Sequence, residues 1–219
     1  FARTNRIDRV TLDSGRRDLG IVAAGKAYLD LRQALADLGL SEEKCRLLGI
    51  RIYKPGLIWP LEPEGLSAFA EDSRALLVVE EKRPVIEDQI ARLLYSLPAD
   101  RRPALAGKTD LRGAPLLSQT GELNPTQVRN ALITMLDQLG LKDAMVADRA
   151  SKFINFEGYA SGLGGARHRP AFFCSGCPHN TSTRIPDGSI AISAVGCHGL
   201  AGMVMPERNT MPPLMPMGG

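Results

Sequence analysis

The chain has 219 residues, of which 44% are hydrophobic, and its formal net charge is +3. A chain of this length and composition can bury a core in one large domain, or in one domain plus part of another. Lysine and arginine are spread along the chain rather than collected in a basic tract with aromatic neighbours, so nucleic-acid binding has little support. No apolar stretch reaches the length needed to span a bilayer, and we expect no membrane segment.

The first residues, 1–6, contain neither an initiator methionine nor the pattern of a secretory signal peptide. We therefore expect the chain to be a piece of a longer polypeptide. The chain has four cysteines, two of them in a C-x-x-C pair, and no secretion signal. This usage indicates a reducing, cytoplasmic compartment and metal chemistry rather than disulfide bonds.

The first half of the chain alternates between strand and helix patterns. An apolar run at 18–25 ends in glycine, and apolar residues then recur at helical spacing over 28–38. This strand–helix unit occurs twice more, and one short strand follows it. These later segments are the strands 49–54, 74–80 and 104–107 and the helices 60–70 and 85–97. Repeated units of this kind predict an α/β fold with a doubly wound, mostly parallel sheet and helices on both faces, over residues 1–110.

The alternation of strand and helix patterns ends near residue 110. Residues 111–123 are rich in turn-forming residues, and an Asn-Pro pair then opens a helix over 124–140. Four glycines between 153 and 169 predict an extended loop. We therefore expect residues 111–164 to be a helical and glycine-rich connection.

One glycine pattern invites a nucleotide-binding interpretation. Gly20-x-x-x-x-Gly25-Lys26 resembles the beginning of a phosphate-binding loop, but Ala27 stands where serine or threonine would bind magnesium. We interpret this pattern as a tight turn between a strand and a helix.

Most of the chain's metal-binding side chains lie in two short segments. The first reads Cys174-Ser175-Gly176-Cys177-Pro178-His179, and the second reads Val195-Gly196-Cys197-His198. A C-x-x-C pair lets two thiolates from one turn reach the same metal or cluster, and a cysteine beside a glycine can approach without a bulky neighbour. We therefore interpret the three cysteines as ligands of one metal or iron–sulfur site.

Other interpretations of these cysteines remain open. A redox dithiol would use the C-x-x-C pair, but it requires no third cysteine. A structural zinc site could take the three thiolates with His179 or His198 as the fourth ligand. Cysteines that serve only as small apolar residues would explain Cys45, which lies in a helical run, better than the other three.

The order of motifs resembles that of the indolepyruvate ferredoxin oxidoreductases, above all a central fragment of their long, fused bacterial forms. This family belongs to the thiamine-diphosphate-dependent 2-oxoacid ferredoxin oxidoreductases. The segments that carry the resemblance are Gly20–Tyr28, Trp59–Pro63, Val78–Arg83, Phe173–Asn180 and Val195–His198.

The resemblance implies an architecture and an activity. It implies a transketolase C-terminal-like domain over 1–110 and the truncated beginning of a thiamine-diphosphate-binding domain over 165–219. Enzymes of the family decarboxylate a 2-oxoacid oxidatively to an acyl-CoA, using thiamine diphosphate, magnesium and 4Fe-4S clusters. The implied partners are ferredoxin, coenzyme A and the remaining domains of the same polypeptide, in a full-length homo-oligomer.

The resemblance also assigns roles to residues. Cys174, Cys177 and Cys197 match three cluster ligands, while the family's fourth cysteine lies further downstream. The segment Val195-Gly196-Cys197-His198 matches the backbone that touches the thiamine cofactor. The chain has no G-D-G…N segment for magnesium and no pyrimidine domain, so we expect it to be inactive by itself. The competing hypothesis is a non-catalytic, zinc-stabilised interaction module.

Overall fold

The structure is a computed structural model. It describes residues 1–71, 73–163, 172–191 and 196–204, with the backbone alone for 154–163 and 202–204. The chain divides into two compact units, Phe1–Phe156 and Glu157–Gly219.

The strands and helices of the first unit follow closely the order that the sequence predicts. Its strands are β1 (Arg9–Leu12), β2 (Leu19–Ala23), β3 (Ile50–Lys54), β4 (Ala75–Val79) and β5 (Ala104–Ala106). Its helices are α1 (Gly25–Asp37), α2 (Glu42–Leu47), α3 (Pro63–Ala70), α4 (Ile86–Tyr95) and α5 (Pro125–Gln138), with a 3-10 turn at Ala99–Arg101. Helix α6 (Ala144–Leu163) extends from this unit into the second, which also contains α7 (His179–Ser182) and α8 (Cys197–Val204).

The five strands form one sheet in the order β1-β3-β2-β4-β5. Strand β2 pairs in parallel with β3 and β4, and β4 pairs in parallel with β5. The predicted mostly parallel sheet is therefore confirmed. Strand β1 is antiparallel to β3 at the sheet edge and was not predicted. Its pattern is weak because Leu12 is its only buried residue.

Side chains from both faces of the sheet are buried, as the continuous apolar runs predicted. Leu19 and Ile21 on β2 and Leu77 on β4 join a core with α1 and α5. On the alternate positions, Val22 and Leu76 join a second core with α3 and α4. Because successive side chains of a strand point to opposite faces, these two cores lie on opposite sides of the sheet.

The core of the first unit includes residues beyond the sheet. Leu132 and Met135 on α5 are fully buried in the same core as α1, together with Leu117 and Leu123 from the preceding loop. Asn124 caps the N-terminus of α5, and its side chain accepts a hydrogen bond from Gln127 N in a capping box. This packing includes α5 and its preceding loop in the first compact unit, which ends at Phe156.

The glycine-rich stretch after residue 153 corrects a prediction. We expected an extended loop, whereas α6 continues without interruption to Leu163. A glycine inside a helix costs only about 1 kcal/mol, and a helix already nucleated upstream propagates with one hydrogen bond per added residue. Residues 164–171, which complete the predicted loop, lie outside the described residues.

The pattern that resembles a phosphate-binding loop has a packing explanation. Gly20 lies inside β2, where a Cβ atom would stand 2.6 Å from Leu76 Cδ2. Lys26 Nζ lies 2.9 Å from the Asp30 carboxylate and also donates to the carbonyl oxygen of Leu123. The interpretation as a strand–helix turn is confirmed, because Gly25 begins α1 with a φ of +53°.

In the described part of the chain, no helix has the length and apolarity that crossing a bilayer requires.

Candidate metal or cluster site

The C-x-x-C pair lies on one turn of the second unit. The backbone N–H of Cys177 donates to the carbonyl oxygen of Cys174 over 3.0 Å, which closes the turn. Gly176 has a φ of +72°, a left-handed conformation that favours glycine. The turn leads through Pro178 into the short helix α7. The sulfur atoms of Cys174 and Cys177 therefore lie on one tight turn.

A small apolar cluster brings the third cysteine to this turn. Phe173 and Ala201 form the buried centre of the cluster, and Cys177 and Cys197 pack against it. Cys197 is the first residue of α8, so its helix start and the C-x-x-C turn meet at the same centre. Cys45 belongs instead to the core of the first unit, where burial raises the pKa of its thiol to about 11.

Two histidines complete the cluster. His179 Nδ1 lies 3.1 Å from Cys177 Sγ, within hydrogen-bonding distance. The ring of His198 meets the ring of His179 edge-on, with centroids 5.6 Å apart. The structure thus brings together soft sulfur donors and imidazole donors in one short stretch of chain, which is the donor chemistry of zinc and iron–sulfur sites.

The donors fit such a site by chemistry, but they do not form a finished coordination sphere. All four cysteines are free thiols; Cys174 is exposed, while Cys177 and Cys197 are half-buried. Within the described ranges, no three His, Cys, Asp or Glu side chains converge on a point that could hold a metal ion. The three-cysteine ligand set therefore stays a prediction.

The predicted cofactor-contacting segment is described in part. Gly196 has a φ of +134°, which an L side chain would rarely adopt, and a Cβ atom there would meet nothing within 4 Å. Backbone at this position is open to close approach. Cys197 and His198 begin α8, whereas Val195 lies outside the described residues.

A second polar cluster, which the sequence analysis missed, lies at the carboxyl edge of the sheet. The Glu80 carboxylate accepts hydrogen bonds from Ile86 N and Glu87 N and so caps α4. Buried Lys108 donates from Nζ to the Glu80 carbonyl oxygen over 2.6 Å, and its backbone N–H donates to Glu87 Oε2. Burial raises the pKa of Glu87 and lowers the pKa of Lys108. The sequence signal for this cluster was Glu80, a polar residue directly after the buried strand β4.

The usual ligand position of an open α/β sheet is occupied by the chain itself. Such sheets bind ligands beyond the carboxyl ends of the strands where the strand order reverses, here between β2 and β4. Lys26 follows β2 and donates to the carbonyl oxygen of Leu123, while Leu123 N donates to Glu81, which follows β4. The loop before α5 therefore closes this position, and the cysteine cluster remains the principal candidate site.

Comparisons with known proteins agree with the sequence resemblance. The family model for the indolepyruvate ferredoxin oxidoreductase middle domain matches residues 8–158. The indolepyruvate oxidoreductase subunit IorA of Thermococcus kodakarensis is 28% identical over 215 residues, which cover 93% of this chain and 29% of the relative. The IorA subunit of Pyrococcus abyssi is 26% identical over 210 residues, with 92% and 28% covered. The chain thus spans less than a third of the length of these relatives.

Two solved structures show weaker likenesses. A split-gene transketolase, described as an inactive beta4 tetramer, has a TM-score of 0.42 and 18% identity, covering 62% of this chain and 42% of its own. A 2-oxoglutarate:ferredoxin oxidoreductase from Magnetococcus marinus has a TM-score of 0.37 and 17% identity, covering 59% and 19%. TM-scores this low decide neither the fold nor the function.

The family match and the structure divide the chain at nearly the same place. The matched residues, 8–158, make up more than half of the chain and end within two residues of the first compact unit, which ends at Phe156. The chain therefore belongs to the indolepyruvate ferredoxin oxidoreductase family, and residues 8–158 are that family's middle domain.

Proposed function

We propose that the chain is part of a 2-oxoacid ferredoxin oxidoreductase of the indolepyruvate type. In this proposal the enzyme decarboxylates a 2-oxoacid oxidatively, forms an acyl-CoA and passes the electrons to ferredoxin. The likeness to the T. kodakarensis subunit covers 93% of this chain, so it includes the cysteine segment as well as the middle domain. That coverage supports a shared role for both parts.

The observation that carries the proposal is the grouping of free thiols in the second unit. Cys174 and Cys177 share one turn, and Cys197 packs against the same apolar centre as Cys177. We assign these three thiolates as ligands of a 4Fe-4S cluster. Three thiolates leave one position of a four-cysteine set to a residue outside this group.

Thiamine diphosphate with magnesium is the second cofactor of the proposal. When bound, thiamine diphosphate would supply the electron sink that decarboxylation of a 2-oxoacid requires. Its place would be beside the segment Val195–His198, where the positive φ of Gly196 leaves the backbone uncovered. Residue sets that hold magnesium or activate thiamine are not recognisable in the sequence, so the chain by itself should not turn over a 2-oxoacid.

The remaining assignments follow from the same proposal. Residues 1–110 would be a transketolase C-terminal-like domain, 111–164 its helical connection and 165–219 the beginning of the thiamine-binding domain. The enzyme would be a cytoplasmic homo-oligomer with ferredoxin and coenzyme A as partners.

The test is cluster content in the intact protein, prepared without oxygen. We expect a brown protein with broad visible absorption, an iron-to-sulfide ratio near unity and indolepyruvate-dependent reduction of ferredoxin that requires coenzyme A. Cys177→Ser should lose iron and sulfide. The matched control is Cys45→Ala, which removes a thiol buried in the first unit and should keep both.

Two outcomes would overturn the proposal. A colourless protein with stoichiometric zinc would favour the zinc-stabilised interaction module. Equal loss of iron in Cys177→Ser and Cys45→Ala would contradict the assignment of the ligands.

A further inference from the structure

We propose that His179 is a positioning residue for the cysteine site: its Nδ1–H donates a hydrogen bond to the Cys177 sulfur and raises the reduction potential of the cluster. The inference rests on the proposed function, because it requires Cys177 to be a cluster ligand.

The contact is local and its backbone is fixed. His179 Nδ1 lies 3.1 Å from Cys177 Sγ, only two residues along the chain. The carbonyl oxygen of Cys177 accepts from Asn180 N over 3.0 Å, and the carbonyl oxygen of His179 accepts from the buried hydroxyl of Thr183. These hydrogen bonds hold Cys177 and His179 on one turn of the chain. The imidazole and the sulfur therefore face each other through local contacts, and no contact from a distant part of the chain is needed.

Neighbouring rings fix the orientation of the imidazole. The Phe173 ring lies 6.0 Å from the His179 ring at an interplanar angle of 34°. The His198 ring lies 5.6 Å away at 79°, an edge-on contact. Phe173 is buried, so it provides a rigid surface for the imidazole. With these two contacts, rotation of His179 away from Cys177 would cost packing as well as the hydrogen bond.

His179 is the donor in its hydrogen bond with Cys177. A metal-bound thiolate carries no hydrogen and can only accept. The hydrogen between the two atoms must therefore reside on Nδ1, which fixes the tautomer of a neutral imidazole. Partners that hold a ligand from outside the coordination sphere orient it and tune the metal.

The effect on the cluster has a definite sign. Reduction adds negative charge to the cluster and its sulfur ligands. A donated hydrogen bond stabilises that charge, and hydrogen bonds to the sulfurs are one determinant of cluster potential. Loss of the His179 donor should therefore make the cluster harder to reduce.

The experiment is a redox titration of the intact oxidoreductase, followed by electron paramagnetic resonance. His179→Phe keeps a ring between Phe173 and His198 but removes the donor. We expect it to lower the reduction equilibrium constant by about tenfold, or about 59 mV for a one-electron couple. His179→Asn keeps an N–H the same number of bonds from the backbone and should restore the wild-type potential. Thr181→Ala, at an exposed position of α7, is the matched control and should not shift the potential.

The outcomes separate this inference from the proposed function. Absence of a cluster in the wild-type protein would overturn the proposed function. A cluster whose potential is the same in wild type and His179→Phe would overturn the role of His179 alone. Should His179→Phe fail to assemble a cluster, His179→Asn decides: assembly at the wild-type potential supports the inference, and failure or a lowered potential contradicts it.

Discussion

The two compact units differ in how they bury apolar side chains. In the first unit, β2 and β4 are fully buried and contribute to a core on each face of the sheet. In the described part of the second unit, the buried hydrophobic centre consists of Phe173 and Ala201. Burial yields about 25 cal/mol per Å² of apolar surface, so a centre this small supplies little stability. The first unit is therefore stabilised by packing, and we expect a bound metal or cluster to contribute much of the second unit's stability.

The largest expected effect tests packing in the first unit. Leu77→Ala removes a side chain that is 0% exposed between the strands and α1. We expect it to lower the free energy of unfolding by about 2–5 kcal/mol, measured by urea denaturation followed by circular dichroism. Leu29→Ala, at a position on α1 that is 64% exposed, is the control and should change it by less than about 0.5 kcal/mol. Equal effects at the two positions would contradict a core centred on the sheet.

The second prediction compares the alkylation rates of a cysteine in each unit. Cys45 is 1% exposed with a pKa of about 11, whereas Cys174 is exposed. Because the thiolate is the nucleophile, iodoacetamide at about pH 8 should alkylate Cys174 of the metal-free chain at least ~100-fold faster than Cys45. Mass spectrometry of tryptic peptides gives both rates. In urea the two rates should converge; comparable rates in the folded chain would show that Cys45 is not in a closed core.

The smallest expected effect concerns the charge of the Glu87 carboxylate at the carboxyl edge of the sheet. Burial raises the pKa of Glu87, so the folded chain holds this proton more tightly than the unfolded chain does. The wild type should therefore lose stability as the pH rises from the unfolded value of about 4.3 through the folded pKa. A glutamine side chain at this position would have no such loss and could still accept from Lys108 N.

Glu87→Gln should consequently be more stable than the wild type at neutral pH, by about 1 kcal/mol or less, and the difference should vanish in acid. Thermal unfolding at a series of pH values measures it. A difference independent of pH would show that Glu87 does not carry the buried charge.

The sequence predicted best those elements whose signal is local and complete. Strands β2 and β4 are continuous apolar runs, and α5 has an Asn-Pro start and helical periodicity. It missed β1, an edge strand of four residues with one buried side chain. It also missed helix α6, which runs through Gly158 and Gly162 because helix propagation from an upstream nucleus outweighed the glycines.

The sequence by itself determined the α/β repeat, the parallel sheet and the presence of three closely spaced cysteines, because periodicity and ligand spacing are written in consecutive residues. Only the tertiary structure decided which distant groups meet. Leu123 N donates to Glu81 across 42 residues, and Lys44 pairs with Asp143 across 99. The placement of Cys197 beside Cys177, and of His179 between Phe173 and His198, likewise depends on packing. Such contacts follow from how whole elements bury their surfaces, and no local pattern encodes them.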